Sequence, residues 1–133
     1  MGTIYLLAFD FGLKHIGVAV GQTQTCTASP VTTVTAKNGK PEWAQLETLL
    51  KEWKPNLLVV GLPLNMDESE SDMSRRARKF ARRLNAHFSL PVELVDERLS
   101  SFEANRHDVE ANKKHAIAAA IIAQTWLNNW QSC

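Results

Sequence analysis

Residues 4–9 form an unbroken apolar run, Ile-Tyr-Leu-Leu-Ala-Phe, closed by the acid Asp10. Continuous rather than alternating hydrophobicity is the pattern of a strand buried on both faces. A turn-like link at Gly12–His15 leads to a second run, Ile16–Val20, and two strands this close predict a hairpin. β-Branched residues mark a third strand over Val31–Thr35. Asn38-Gly39 then breaks the chain, and Pro41 suits the first turn of a helix. Trp43, Leu46, Leu49, Leu50 and Trp53 repeat at helical spacing, so residues 41–53 read as an amphipathic helix that Pro55 stops.

The pattern then repeats in a different key. Leu57–Val60 is another continuous strand, ending at Gly61-Leu62-Pro63 and followed by a loop with Asn65, Asp67, Glu68 and Ser69. Met73, Ala77, Phe80, Ala81, Leu84 and Phe88 form the apolar stripe of a second helix, with Ser71 or Asp72 as its cap. Val92–Val95 is a fifth strand, ending in Asp96-Glu97-Arg98, and Ser100 with Glu103 has the form of a capping box opening a short helix. Asn112 is placed to cap a last helix over about 113–130, whose Ala116–Ala123 stretch is apolar on nearly every side, as in a buried helix. The order β-β-β-α-β-α-β-α-α predicts a mixed five-stranded α/β sheet, its first three strands an antiparallel meander, with helices on both faces.

Bulk composition adds limits. The 133 residues fit one domain spanning 1–133, and 44% hydrophobic content is enough for a single core. A formal net charge of +1 names no partner, so local clustering matters more. The two cysteines, Cys26 and Cys133, make neither a metal-ligand pair nor a disulfide framework, which fits a reducing cytoplasm. The first residues lack a basic region and reach an acid by residue 10, unlike a signal peptide, and no apolar run has the length of a membrane span.

Chemistry concentrates at strand ends. Asp10 and the pair Asp96-Glu97 both close apolar strands, at the edge where open α/β sheets bind ligands. If the two strands run parallel, these carboxylates converge and repel unless a cation separates them. Oxygen ligands of this kind suit Mg²⁺ or Mn²⁺, and two such ions about 4 Å apart activate a water and stabilise the leaving oxygen of a phosphodiester. Solubilising or capping acids at strand ends give the same pattern without a metal. The second helix carries Arg75, Arg76, Arg78, Lys79, Arg82 and Arg83 away from its apolar stripe. That face attracts a phosphate backbone or is simply solvated. His115 falls in the first turn of the last helix, where a structural role is the simpler reading; His15, His87 and His107 show no ligand spacing. The four Trp residues lie on helical stripes and read as core or interface, with Trp130 the candidate for a partner surface.

Taken in order, Asp10-Phe11-Gly12 with Ile16-Gly17-Val18-Ala19, Val60-Gly61-Leu62-Pro63 with Asn65-Met66-Asp67, and Asp96-Glu97-Arg98-Leu99-Ser100 resemble the YqgF/RuvX family over nearly the whole chain. The resemblance implies an RNase H-like three-layer fold and a metal-dependent nuclease. Its expected substrate is the 5′ end of pre-16S ribosomal RNA, or alternatively a four-way DNA (Holliday) junction. It implies that Asp10 and Glu97 are the metal-binding catalytic acids; Asp96, beside Glu97, points to the opposite face if the strand continues. Substrate contacts are then expected from Lys14, Asn65, Asp67, Arg75, Arg76, Lys79, Arg82, Arg83 and Arg98, and pre-ribosomal particles are expected partners of a cytoplasmic monomer or homodimer. One position departs from the family: His115 stands where its members carry an Asp at the start of the last helix. An imidazole is a poorer Mg²⁺ ligand than a carboxylate but suits Mn²⁺, or proton transfer. His115 is accordingly the expected third catalytic residue, with Asp108 or Glu110 as substitutes and a silent nucleic-acid-binding assembly factor as the alternative. A second departure is Glu68, where family members usually carry Gly. An ATP-binding protein of the actin and sugar-kinase type shares the first motif, but needs two such halves and a second glycine-rich loop that this chain lacks.

Overall fold

In the computed structural model the described residues are 2–64, 67, 69–98, 111–130 and 133. The elements in chain order are β1 (Tyr5–Asp10), β2 (His15–Gln22), β3 (Thr27–Lys37), β4 (Lys40–Pro41), α1 (Trp43–Trp53), β5 (Leu57–Leu64), α2 (Asp72–Phe88), β6 (Val92–Arg98) and α3 (Ala111–Asn128). The sheet order is β4-β3-β2-β1-β5-β6, antiparallel from β4 to β1 and parallel from β1 through β5 to β6. The expected meander and two crossovers are all present.

Alternation along β1 divides the core. Leu7 and Phe9 face one side with Leu58, Val60 and Ile16, where Leu46 of α1 and Ala77, Phe80 and Leu84 of α2 close the layer. Phe9 meets the Phe80 ring edge-on at 5.8 Å. Leu6 and Ala8 face the other side with Leu57 and Val59, covered by Ile122, Ala123, Trp126 and Leu127 of α3. The result is three layers, the α/β RNase H-like architecture expected from sequence.

The sheet has six strands rather than five. Asn38 and Gly39 both take positive φ, 52° and 81°, the backbone of a tight hairpin turn, so the chain folds back instead of breaking. The resulting strand is two residues long and carries no periodicity to read. Its edge position tolerates Pro41, and α1 begins later, at Trp43. Lys54 takes the left-handed cap ahead of Pro55, and the Ser71 hydroxyl accepts from the Ser74 amide at the start of α2. The short helix expected after Ser100 lies outside the described residues.

Helix α3 starts at Ala111, so Asn112 lies inside it rather than capping it. It is also not buried all round: Ala116, Ala119, Ile122, Ala123, Trp126 and Leu127 are buried, whereas Ile117, Ala118, Ala120 and Ile121 are half-exposed. What brings α3 onto the sheet is Gly17 of β2. A Cβ there would interpenetrate the His115 carbonyl and stand 2.9 Å from the Ala116 amide nitrogen, so helix backbone rests on strand backbone. The far end of α3 is held differently. Cys26, in the turn between β2 and β3, is disulfide-bonded to Cys133, and the Gln124 side chain donates to the Cys26 carbonyl at 3.1 Å. The expectation of unpaired thiols is thus wrong. The sequence separation of 107 residues hid a pairing that α3 creates by crossing back over β2 and β3. Cysteine usage therefore gives no support for a reducing compartment.

Two stability effects follow. Gly17→Ala is expected to cost about 1–3 kcal/mol or more in urea unfolding, because rigid backbone, not a flexible side-chain tip, blocks the new methyl. Cys26→Ser is expected to lower unfolding free energy by about 2–4 kcal/mol without reductant and to match wild type in excess reductant.

Candidate active site

Strands β1, β5 and β6 are parallel, so their carboxyl ends share one edge of the sheet. Side chains alternate between faces along each strand. Leu6 and Ala8 lie against α3, and Asp10 continues that face. In β6, Glu93 accepts from the Trp126 indole at 3.1 Å and Val95 packs on the α3 core, so Glu97 continues the same face. Asp96 projects to the α2 side, where its charge is among those that raise the Arg78 guanidinium above its usual range. Asp10 and Glu97 are the last or near-last residues of their strands rather than loop residues, because pairing extends through Asp10↔Gly17 and Pro63↔Glu97.

One strand, β5, separates the two acids, which puts their backbones on the order of 10 Å apart. Side-chain direction closes part of that distance. The β1–β5 register ends at Phe9↔Val60, leaving Asp10 and Gly61 as the next positions on neighbouring strands. A Cβ on Gly61 would stand 3.0 Å from Glu97 Oε2 and would collide with the tip of Ile122. The Glu97 carboxylate therefore lies over the bare backbone of β5, leaning from β6 toward β1. Gly61 provides the room for that lean.

On the other side of Asp10, its cross-strand partner is Gly17, the residue on which α3 rests. This contact sets His115 Nδ1 3.9 Å from Asp10 Oδ2. That is too long for a hydrogen bond, and short enough for one bridging water or cation to touch both. The two side chains are 33% and 26% exposed, so the pair is held by the fold and still open to a ligand. The His115 ring stacks on His15 at 5.2 Å with 29° between planes. His15 had no assigned role. The signal that finds it is strand parity: His15 and Gly17 share the α3 face of β2.

The donor set is two carboxylate oxygens and an imidazole nitrogen, which suits a divalent cation, Mn²⁺ more readily than Mg²⁺. Among the described residues, however, no three His, Cys, Asp or Glu side chains stand close enough together to hold a metal ion by themselves. Asp108 and Glu110 lie outside the described residues, as does Asn65.

The basic residues occupy the opposite face. Arg75 pairs with Asp72, and Arg78 makes two hydrogen bonds to Glu70 at 2.9 and 2.8 Å, which hold the Glu70 carboxyl below its usual range. Arg76, Lys79, Arg82 and Arg83 have no acidic partner among the described residues. Lys14 is exposed in the β1–β2 turn, where its carbonyl accepts from Ala36 at 2.8 Å. Asp67 accepts from the Ser69 amide at 3.0 Å and the Ser69 hydroxyl at 2.6 Å; these bonds lower its pKa and close a turn. The Arg98 backbone pairs with Leu64 at the end of β6.

Residues 4–129 match the family described as "RuvX: Holliday junction resolvase". A protein of Pseudomonas putida named "Putative pre-16S rRNA nuclease" is 54% identical over 131 residues, covering 92% of this chain and 93% of that one. A protein of the same name from Sodalis glossinidius is 48% identical, covering 94% of each chain. Among solved structures, T. thermophilus RuvC in complex with a Holliday junction substrate superposes with a TM-score of 0.56 at 14% identity over 92% of both chains. The fowlpox virus Holliday junction resolvase gives 0.54 at 10% identity, over 96% of this chain and all of the other. At such identities these structures speak to fold alone.

Gly61→Ala gives a direct check on the arrangement. Calorimetric Mn²⁺ titration is expected to show at least about 10-fold weaker binding, the usual scale for disturbing the groups that orient a ligand. Unchanged affinity would mean that Glu97 and Asp10 do not share an ion.

Proposed function

The chain belongs to the RuvX family, and on that premise we propose that it is a divalent-metal-dependent nuclease. Its substrate in this reading is structured RNA, at the 5′ end of pre-16S rRNA, in cytoplasmic pre-ribosomal particles. The observation that carries the proposal is the shared face of Asp10, Glu97 and His115 at the carboxyl edge of three parallel strands.

Each residue has a role set by its place. The Asp10 and Glu97 carboxylates would hold the cation. When bound, that ion supplies a Lewis acid at the phosphodiester and lowers the pKa of a water. His115 Nδ1 stands 3.9 Å from Asp10 Oδ2, and its Nε2 would deliver a proton to the leaving oxygen. The His15 ring, stacked behind, limits rotation of that imidazole. The unpaired cations of α2 draw the phosphate backbone to the molecule without reading its sequence. Two ions would need donors beyond the two carboxylates named here.

A second reading, cleavage of a four-way DNA junction, is favoured by the family description. Phosphate contacts do not distinguish the two substrates, and paired junction cuts would require a two-fold dimer.

Incubating wild type with the pre-16S 5′ leader RNA and with a four-way DNA junction, in Mg²⁺ or Mn²⁺, separates these readings. Asp10→Asn is expected to lose detectable cleavage. His115→Ala is expected to lose about 10²–10⁴-fold in kcat, the scale of a general acid, with little change in RNA binding. Equal behaviour of wild type and Asp10→Asn on both substrates would leave a nucleic-acid-binding assembly factor without catalysis.

A further inference from the structure

The α2 cations are not equivalent. Arg75 and Arg78 are matched by Asp72 and Glu70. Arg76, Lys79 and Arg83 stand on one helical stripe with Phe80, and they turn toward the β3–β4 hairpin. There they meet Lys40, and the four cations line a cleft of about 60 Å³ together with Phe11 and Phe80. No acid lines it.

The cleft wall is fixed. The Gly39 amide donates to the Leu13 carbonyl at 2.9 Å, tying the β3–β4 turn to the β1–β2 loop. Gly39 also stands so close to Phe11 that a Cβ would lie 2.8 Å from its ring, and Phe11 packs on Phe80 at 5.3 Å. A pocket of this size has room for roughly four or five waters. That is enough for one phosphate group and too little for a base.

Position gives the cleft its meaning. Phe11 directly follows Asp10, and neighbouring residues at a strand end point to opposite faces. The cleft therefore adjoins the chain segment that holds the acid while opening on the other side of the sheet.

We propose that the cleft of Lys40, Arg76, Lys79 and Arg83 is a subsite for one backbone phosphate of the nucleic-acid strand flanking the cleaved bond. The substrate then passes over the carboxyl edge of β1, with the scissile bond on the α3 face and the flanking phosphate on the α2 face. This deepens the nuclease reading and rests on it.

The test separates the two claims. Binding of fluorescein-labelled 5′ leader RNA is followed by anisotropy between about 50 and 200 mM salt, on an Asp10→Asn background so that nothing is cut. Lys40→Gln and Arg83→Gln are each expected to lower the magnitude of the log–log salt slope by about 1. Equivalently, each loses about fourfold less affinity than its parent across that fourfold salt range. Lys51→Gln on α1 is the control and is expected to keep the parental slope. Parental slopes in both cleft variants would overturn the subsite whatever the wild type cleaves. Loss of slope in the cleft variants would uphold it as a binding site even if wild type cuts neither substrate, in which case only the nuclease reading fails. Inorganic phosphate is the second probe: if it shifts the Gly39 and Lys40 amide resonances and the RNA does not, the cleft is a small-anion site and the proposal is wrong.

Discussion

The arrangement depends on a place where two backbones touch. Gly17 has no side chain, so α3 lies directly on β2, with His115 and Ala116 against the strand. Packing distance between helix and sheet is normally set by side chains. Here it is set by their absence at one position, and that position is the cross-strand partner of Asp10. The contact that seats the helix therefore also sets the imidazole beside the acid. Small residues at Ala116, Ala119 and Ala123 keep the helix close along its length, and Leu127 and Trp126 widen the contact at its far end. Gly61 plays the corresponding part on the other side of Asp10, where the missing side chain makes room for a carboxylate instead of a helix.

Much of this was legible in the sequence because buried strands and amphipathic helices have different periods. Two strand ends pointed to Asp10 and to the pair Asp96-Glu97, and the family motif with strand parity ranked Glu97 above Asp96. Other features had no local signature. The two-residue strand Lys40–Pro41 is too short to show a period. The Cys26–Cys133 bond joins positions that only the path of α3 brings together. His15 looks like a turn residue until the hairpin register puts it on the same face as Gly17, under His115. The side of the sheet that α2 occupies was equally hidden, because an amphipathic stripe says that a helix packs without saying on which face.

That choice of face shapes the electrostatics. The acids and the imidazole sit on the α3 side, and Arg76, Lys79, Arg82 and Arg83, which have no acidic partner among the described residues, sit on α2 across the sheet. A polyanion approaching the carboxylates alone would be repelled. The basic surface supplies attraction from the other face of the sheet, and salt screens it because the Debye length is about 8 Å at physiological ionic strength. The opposite charges are thus divided between two faces that meet at one edge, and the division keeps the Arg side chains from neutralising the acids directly.

The disulfide gives the chain a topology that its fold alone does not. Joining Cys26 to Cys133 makes a covalent ring, and Glu97 and His115 belong to it while Asp10 lies on the strand outside. The strands β1 and β2 can be peeled from the ring without breaking a bond; β6 and α3 cannot be drawn apart beyond the length of the closed loop. Partial unravelling from the amino-terminal side would remove one acid from the site and leave its two companions tethered to each other, so the first stage of such opening is loss of the site rather than loss of the molecule's connectivity.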